Sequence, residues 1–285
     1  MRKIGIIGGS GLYDIEGIEN VKEVRVQTPF GEPSDAYVCG ELQGVEVVFL
    51  PRHDKGHKIS PSEINYRANI YGMKKLGVSA IFSVSACGSL KEELKPMDFV
   101  IPSQFIDRTT KRQSTFFSSG IVAHVGFADP TCSKLSDILE KSARTVGVSV
   151  HRGGTYLNME GPQFSTRAES NLYRSWGLDI IGMTNATEAK LAREAEVAYA
   201  TLAAVTDYDC WHESHESVTV DMIIKYLTKN VDNAKKILKK AIVEAAKVEC
   251  FEAENALQFA IVTDRTKISK KIKKDLDIII GKYIK

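Results

Sequence analysis

The feature that most constrains the fold is a series of short apolar runs that end abruptly in small or charged polar residues. Three such runs are Ile4 to Ile7 before Gly8-Gly9-Ser10-Gly11, Val45 to Leu50 before Pro51-Arg52-His53, and Val78 to Val84 before Ser85-Ala86-Cys87-Gly88-Ser89. Runs of this length, bounded by turn residues, are typical of buried strands. Because helical stretches alternate with them, the pattern predicts a largely parallel sheet.

We therefore predict an α/β protein, a single domain with a central mixed, largely parallel twisted sheet flanked by helices. The 285 residues suffice for one large domain, and no Pro, Gly or Ser run marks a linker. The expected domain covers residues 1–250, and a basic, helical C-terminal extension follows over residues 251–285. In such a sheet ligands gather outside the carboxyl ends of the strands, which makes the polar residues there the first site candidates.

Other elements follow from local signals. Ser60-Pro61-Ser62-Glu63 has a capping-box pattern and predicts a helix that runs to about Leu76. Val148 to Met159 is expected to be one strand, and Thr219 to Val248 a long helix that bends near Asn230. The segment 108–130 has no clear period, so we expect a lid or a subunit contact there.

Two carboxylates follow another apolar run, Ala198 to Val205, in the sequence Thr206-Asp207-Tyr208-Asp209. If the strand continues, Asp207 and Asp209 share one face, and Tyr208 packs on the other. Acids placed together at the end of a buried strand are costly to desolvate and perturb each other's pKa, which suits proton chemistry. The plainer alternative is that they cap the next element or face water.

Composition argues against several classes of function. The chain has 38 basic and 36 acidic residues, a balance that offers no field for nucleic acid. Its five cysteines form no C-x-x-C pair, so neither a zinc site nor a disulfide framework is indicated. No apolar stretch reaches membrane-spanning length, and the N-terminus lacks the pattern of a signal peptide. We expect a cytoplasmic protein that binds neither nucleic acid nor membranes.

Groups that can bind an anion follow several predicted strands: Ser10, Arg52 with His53, Ser85, and Thr184. The dinucleotide pattern G-x-G-x-x-G fails, because Asp14 takes the place of its last glycine, and no G-x-x-x-x-G-K-[ST] is present. Hydroxyls and an Arg/His pair, without a carboxylate cage for a metal, favour free phosphate over a magnesium nucleotide. The plainer alternatives are a tight turn at Ser10 and a solvated basic turn at Arg52.

Several segments of the chain, including those that carry the anion-binding groups and the two aspartates, resemble the 5′-methylthioadenosine phosphorylases of the purine nucleoside phosphorylase superfamily. The matching segments follow the family's order and are Gly5–Leu12, Thr28–Asp35, Pro51–His53, Ile64–Ile70, Ala86–Leu90, Gln104–Thr109, Glu160–Ser170 and Thr206–Asp209. The resemblance implies phosphorolysis of 5′-methylthioadenosine to adenine and 5-methylthioribose 1-phosphate. Phosphate is then a co-substrate, and no metal or organic cofactor is expected.

The resemblance also implies residue roles. The residues implied to bind phosphate are Ser10, Arg52, His53, Ser85, Ala86 and Thr184. Those implied to bind the substrate are Phe164, Ile181, Met183, Asp207, Asp209, His124, Val220 and Ile224. Catalysis is assigned to Asp207 and Asp209, and specificity to Ser165 and Val220. Phe164 is expected to stack on the base, and Met183 to lie against the ribose. Val220 and Ile224 are expected to line the methylthio pocket, which His124 reaches from a neighbouring subunit. The implied assembly is a trimer, with a hexamer as the alternative.

Two alternatives stay open. A purine nucleoside phosphorylase of broader specificity would accept adenosine, inosine or guanosine, although Asp209 stands where we expect Asn in a reader of 6-oxopurines. The run Asn185-Ala186-Thr187-Glu188 also departs from the Thr-Val-Pro-Glu type, which leaves the strictness against adenosine and inosine open. The other alternative is a nucleotide-binding module without catalysis.

Overall fold

One mixed sheet of eleven strands forms the centre of the fold in this computed structural model. The structure describes residues 1–9, 12, 15–212 and 220–284, with only the backbone described at 220–225 and 227. The strands are Lys3–Gly8 (β1), Ile18–Val24 (β2), Tyr37–Leu42 (β3), Val45–Pro51 (β4), Val78–Ser89 (β5), Phe99–Ile101 (β6), Gln104–Asp107 (β7), Val150–Arg152 (β8), Thr155–Asn158 (β9), Ile180–Gly182 (β10) and Ala198–Asp207 (β11). The predicted α/β fold class is confirmed.

Helices cover both faces of the sheet, as the alternating pattern predicts. They are Tyr66–Lys75 (α1), Ser133–Val146 (α2), Arg167–Ser175 (α3), Asn185–Glu194 (α4), Val220–Ala245 (α5), Lys270–Asp275 (α6) and Asp277–Ile280 (α7), with a 3₁₀ turn at Glu252–Asn255. Among the described residues no helix is long and apolar enough to cross a membrane.

The long strand β5 organises the sheet. The main path runs β2-β3-β4-β1-β5-β10-β9-β7, and β11 joins β5 to β6, which in turn carries β8. β1 is parallel to both β4 and β5, and β11 is parallel to β5, so the carboxyl ends of these four strands lie at one edge. β10 runs antiparallel to the last residues of β5, where Ile180 pairs with Ser89. All ten residues of β11 are buried, as expected for a strand covered on both faces.

Two large apolar clusters lie on opposite faces of the sheet. Ile4 and Ile6 of β1 point into the cluster built with α2 and α5, whereas Ile7 points into the one built with α1 and α4. The C-terminal residues belong to the second cluster, because Leu257 and Leu276 are buried in it. Residues 251–284 therefore contribute to the core, and their helical part consists of the 3₁₀ turn and two short helices, α6 and α7.

Two local predictions are wrong for identifiable reasons. α1 begins at Tyr66, because the Asn65 side chain caps the helix by accepting from the Ala68 N–H at 3.2 Å. Two glycines with positive φ, Gly153 and Gly154, divide the predicted strand at 148–159 into β8 and β9. The predicted long helix is present as α5, which continues through Asn230, whose buried amide donates to the Val205 carbonyl oxygen at 3.2 Å.

Candidate active site

The two acids come together at a turn and not along a strand, so the predicted alternation of faces is wrong. β11 ends at Asp207, and Asp209 lies beyond it with φ +50. The Asp209 N–H donates to Oδ1 of Asp207 at 2.8 Å, which folds the turn back on the strand end. Both residues are 8 % exposed, and both lie against Gly88 of β5, where an added Cβ would stand 2.8 Å from Asp207 Oδ1 and 3.4 Å from the Cβ of Asp209.

Burial sets the protonation of this pair. It raises the pKa of Asp207 to about 6, although the Thr206 hydroxyl (2.7 Å) and the Asp209 N–H donate to the carboxylate. Burial also raises the pKa of Asp209, against the hydroxyls of Ser170 and Ser165. Within the described residues Oδ2 of Asp209 is buried without a hydrogen-bond partner. A carboxyl group with a pKa near 6 can deliver a proton close to neutral pH.

Apolar side chains predicted to touch a substrate lie around the same turn. Ile181 of β10 packs against Gly88, with its Cγ2 3.1 Å from the position of a Cβ there. The Ser165 carbonyl oxygen accepts from the thiol of Cys210, which follows Asp209. Phe164 is 45 % exposed, and the Met183 sulfur packs against Gly161 at the start of the same loop.

Arg52 occupies a second polar cluster, where it forms a buried ion pair with Glu188. Its Nε donates to Oε1 of Glu188 at 2.6 Å, and Nη2 donates to Oε2 at 3.2 Å. The same guanidinium donates to the Val84 carbonyl at 2.8 Å and to the Ser83 hydroxyl at 2.6 Å. The Arg52 N–H donates to the Gly8 carbonyl at 3.0 Å. The pair thereby connects α4 with the ends of β1 and β4 and with the middle of β5.

Sequence reasoning missed Glu188, although a signal was available. The residue lies in the first turn of α4 between two alanines, Ala186 and Ala189, that suit a buried helix face, and a buried carboxylate requires a charged partner. Tyr199 completes the surroundings by donating its hydroxyl to Oε2 of Glu188 at 2.8 Å, and Asn185 donates its amide to the hydroxyls of Ser83, Tyr199 and Thr201.

His53 lies next to Arg52 at the end of β4. Its Nδ1 is 2.8 Å from the Ile59 carbonyl oxygen, and its ring stacks on His57 with centroids 4.2 Å apart. Burial, reinforced by the charge of Arg52, lowers the pKa of His53 to about 4. The imidazole is therefore neutral at physiological pH.

Hydroxyl and backbone groups face the same region. The Oγ of Ser85 is buried without a hydrogen-bond partner among the described residues, directly before Ala86. Thr184 is buried at the N-cap of α4, but its side chain does not cap the helix. The amino end of α4 carries the positive end of the helix dipole, which favours a bound anion.

Arg112, which sequence reasoning also missed, ties the 108–130 segment to this region. Its side chain is buried and donates to the carbonyl oxygens of Met183 and of Glu160, the latter at 2.7 Å. Burial alone would raise the pKa of Glu160, but hydrogen bonds from Ser62, Thr110, Lys111 and Arg112 outweigh it and lower the pKa to about 2. No sequence spacing marks Arg112, since its partners are distant in the chain and are mainly backbone oxygens.

The remaining predicted residues are His124, Ser10, Val220 and Ile224. His124 is exposed, and its backbone N–H donates to the Ala260 carbonyl at 2.9 Å in an extended pairing of residues 122–124 with residues 260–262. Ser10 lies outside the described residues, and so do the side chains of Val220 and Ile224. In the described part of the chain, no three His, Cys, Asp or Glu side chains form a group that can hold a metal ion.

Comparison with known proteins covers nearly the whole chain. A family model described as the phosphorylase superfamily matches residues 3–243. An S-methyl-5′-thioadenosine phosphorylase of Geobacter sulfurreducens is 57 % identical over 282 residues, which cover 99 % of each chain. The relative of that name in Thermosynechococcus vestitus is 56 % identical, over 99 % of each chain.

Solved structures agree with these relatives. A methylthioadenosine phosphorylase from an antarctic soil metagenomic library superposes with a TM-score of 0.94 at 52 % identity, over 98 % of each chain. The methylthioadenosine phosphorylase of Schistosoma mansoni in complex with adenine gives a TM-score of 0.84 at 39 % identity, over 99 % of this chain and 98 % of that one.

Proposed function

Since the chain belongs to the phosphorylase superfamily and, within it, to the S-methyl-5′-thioadenosine phosphorylases, we propose that it splits 5′-methylthioadenosine with inorganic phosphate into adenine and 5-methylthioribose 1-phosphate. The observation that carries the proposal is that two polar clusters, the one around Arg52 and the pair Asp207 and Asp209, contact different parts of β5. Ser83 bonds to Arg52, whereas Gly88 lies under Asp207 and Asp209. From Ser85 to Gly88 a strand spans about 10 Å, which suits a nucleoside with phosphate at one end.

Each part of the substrate has proposed partners. Phosphate is bound by Ser10, Arg52, His53, Ser85, Ala86 and Thr184, the base by Phe164, Ile181, Asp207 and Asp209, and the ribose by Met183, while Ser165 and Val220 tune specificity. The partnerless Ser85 hydroxyl and Asp209 Oδ2 support this division, because buried polar atoms normally have partners.

In the proposed phosphorolysis, Asp207 and Asp209 act on the departing base. As the C1′–N9 bond breaks, the sugar gains oxocarbenium character, and a phosphate oxygen forms the new bond at C1′. The departing adenine takes a proton on N7 from Asp207, whose raised pKa supports that role. Asp209 accepts a hydrogen bond from the 6-amino group. We propose no metal or organic cofactor for this reaction, which would serve purine and methionine salvage.

An exposed apolar patch supports a homo-oligomer, with a trimer as the first choice and a hexamer as the alternative. Phe259, Val262 and Val122 are 91 %, 65 % and 47 % exposed, and they surround the paired segments that carry His124. Large contiguous apolar surface marks an interaction site. A second copy on this patch would bring its own substrate site near His124. The five free cysteines fit a reducing compartment, so we propose the cytoplasm.

Adenosine is a second candidate substrate, because a 38 % identical neighbour is described as an adenosine/methylthioadenosine phosphorylase of Schistosoma mansoni. The rates of adenine release from methylthioadenosine and adenosine, and of hypoxanthine release from inosine, test the specificity side by side. We expect methylthioadenosine to be fastest and inosine slowest, since Asp209 offers an acceptor to a 6-oxo group. Inosine as the fastest substrate would contradict the assignment. Nucleoside binding without any turnover would support a non-catalytic module.

A further inference from the structure

The tautomer of His53 is fixed by its surroundings. A carbonyl oxygen only accepts hydrogen bonds, so the 2.8 Å contact with Ile59 requires a proton on Nδ1. A neutral imidazole with that proton presents Nε2 as an acceptor. Within the described residues Nε2 has no hydrogen-bond partner, and it is the only polar atom of the side chain that remains for a ligand.

The charge next to His53 is largely compensated. Arg52 has five N–H donors, and the contacts with Glu188, Val84, Ser83 and Ile7 leave a single N–H on Nη1. Glu188 cancels its positive charge within the same ion pair. The charged and titratable groups that act on His53 are Arg52, His57 and Glu188: Arg52 and His57 add to the effect of burial, which lowers the pKa of the ring, and Glu188 opposes it.

From this geometry we propose that the phosphate pocket selects an oxyanion that carries a proton, because Nε2 of His53 accepts a hydrogen bond from a P–OH group. The inference rests on the proposed function, in which His53 binds phosphate. It adds that His53 determines which anion is accepted, and that a pocket with little net positive charge discriminates through hydrogen bonds instead of charge.

The consequence is a preference among anions of similar shape. Near neutral pH inorganic phosphate and arsenate carry at least one proton, whereas sulfate carries none. A sulfate oxygen would face the lone pair of Nε2, so an acceptor would meet an acceptor in a partly buried place. We expect sulfate to compete with phosphate at a concentration at least about tenfold higher than the KM for phosphate. Arsenate should replace phosphate and support adenine release.

Three proteins test the proposal: the wild type, His53→Gln, and the matched control His151→Gln, which makes the same change at a histidine of β8 that pairs with Asp98. The glutamine amide offers a donor, so the ratio of the sulfate inhibition constant to the phosphate KM should fall about tenfold in His53→Gln. It should stay unchanged in His151→Gln. Equal competition by both anions in the wild type, or an unchanged ratio in His53→Gln, would overturn the proposal.

Two direct measurements do not depend on turnover. Nitrogen-15 NMR of labelled histidine should show the Nδ1–H tautomer of His53 with phosphate bound, and an imidazolium or an Nε2–H tautomer would refute the proposal. Calorimetric titration of the protein with phosphate and with sulfate, without nucleoside, tests the anion preference separately from the proposed function. Tighter binding of phosphate than of sulfate by a protein without turnover would sink only the function, whereas equal binding with turnover would sink only the anion preference.

Discussion

At the scale of single residues, the structure gives Asp207 and Asp209 different environments although they are two positions apart. Asp207 accepts hydrogen bonds on both oxygens, from the Thr206 hydroxyl and the Asp209 N–H. Asp209 keeps Oδ2 free of partners within the described residues. Proton donation by the first residue and recognition by the second are therefore separable by mutation.

The change Asp207→Asn removes the proposed proton donor with little change of shape. We expect kcat for methylthioadenosine to fall by about 10²- to 10⁴-fold, the usual contribution of general acid catalysis. The KM should change little, since the amide still fills the turn. Steady-state kinetics and calorimetric binding of adenine check this. A variant that retains wild-type kcat would show that another group supplies the proton.

A second carboxylate, Glu194, couples stability to pH. It is buried in α4 and accepts from the Phe116 N–H and the Thr115 hydroxyl, both at 2.7 Å. Burial, working against those hydrogen bonds, raises the pKa of Glu194 from 4.5 to about 7. The folded state holds this proton more tightly than the unfolded state, so the stability it contributes is present below pH 4.5 and is lost as the pH rises through 7.

Glu194→Gln tests that linkage, because the amide cannot ionise. Relative to the wild type, its free energy of unfolding should rise by about 3 kcal/mol between pH 4 and pH 8. Denaturant unfolding at both pH values measures the difference. A parallel pH dependence in wild type and variant would show that Glu194 does not titrate in this range.

At the scale of elements, a single ion pair fixes α4 against the sheet strands that lead to the site. Arg52 and Glu188 are almost fully buried, and their partners belong to β1, β5 and β11. Removing one member would leave the other as an uncompensated charge in the core, which costs far more than the pair itself contributes.

Glu188→Gln should therefore lower the free energy of unfolding by about 3–5 kcal/mol. The matched control is Glu140→Gln, which breaks an exposed pair with Arg144 and should cost less than about 0.5 kcal/mol. Thermal and denaturant unfolding compare the two. A loss in Glu188→Gln no larger than in the control would mean that α4 is held by other contacts.

These elements also show what the sequence can and cannot predict. The strands were recognisable because β1, β4, β5 and β11 are apolar runs with polar ends. The start of α1 was missed because two capping signals, at Ser60 and Asn65, compete, and only the second begins a helix. Glu188 and Arg112 escaped because their partners are distant in the chain. The approach of Asp209 to Asp207 depends on a positive φ that no periodic pattern encodes.

At the scale of the whole molecule, the exposed patch formed by Phe259, Val262 and Val122 predicts self-association. The double change Phe259→Lys and Val262→Lys should dissociate the oligomer, and activity should fall if a neighbouring His124 completes the site. Val21→Lys, which alters an isolated exposed apolar residue on β2, is the control and should keep the wild-type assembly. Sedimentation velocity measures the oligomeric state of the double variant and of the control. A wild type that is monomeric at working concentration would contradict the shared site.

The central claim is that phosphate, and not water, cleaves the nucleoside. The most direct measurement incubates the protein with methylthioadenosine, with and without inorganic phosphate, and follows adenine release together with the phosphorus-31 NMR spectrum of the phosphate and the sugar product. The account predicts that adenine appears only with phosphate and in equal amount to a new sugar 1-phosphate signal. Adenine released at the same rate without phosphate, with no such signal, would contradict it.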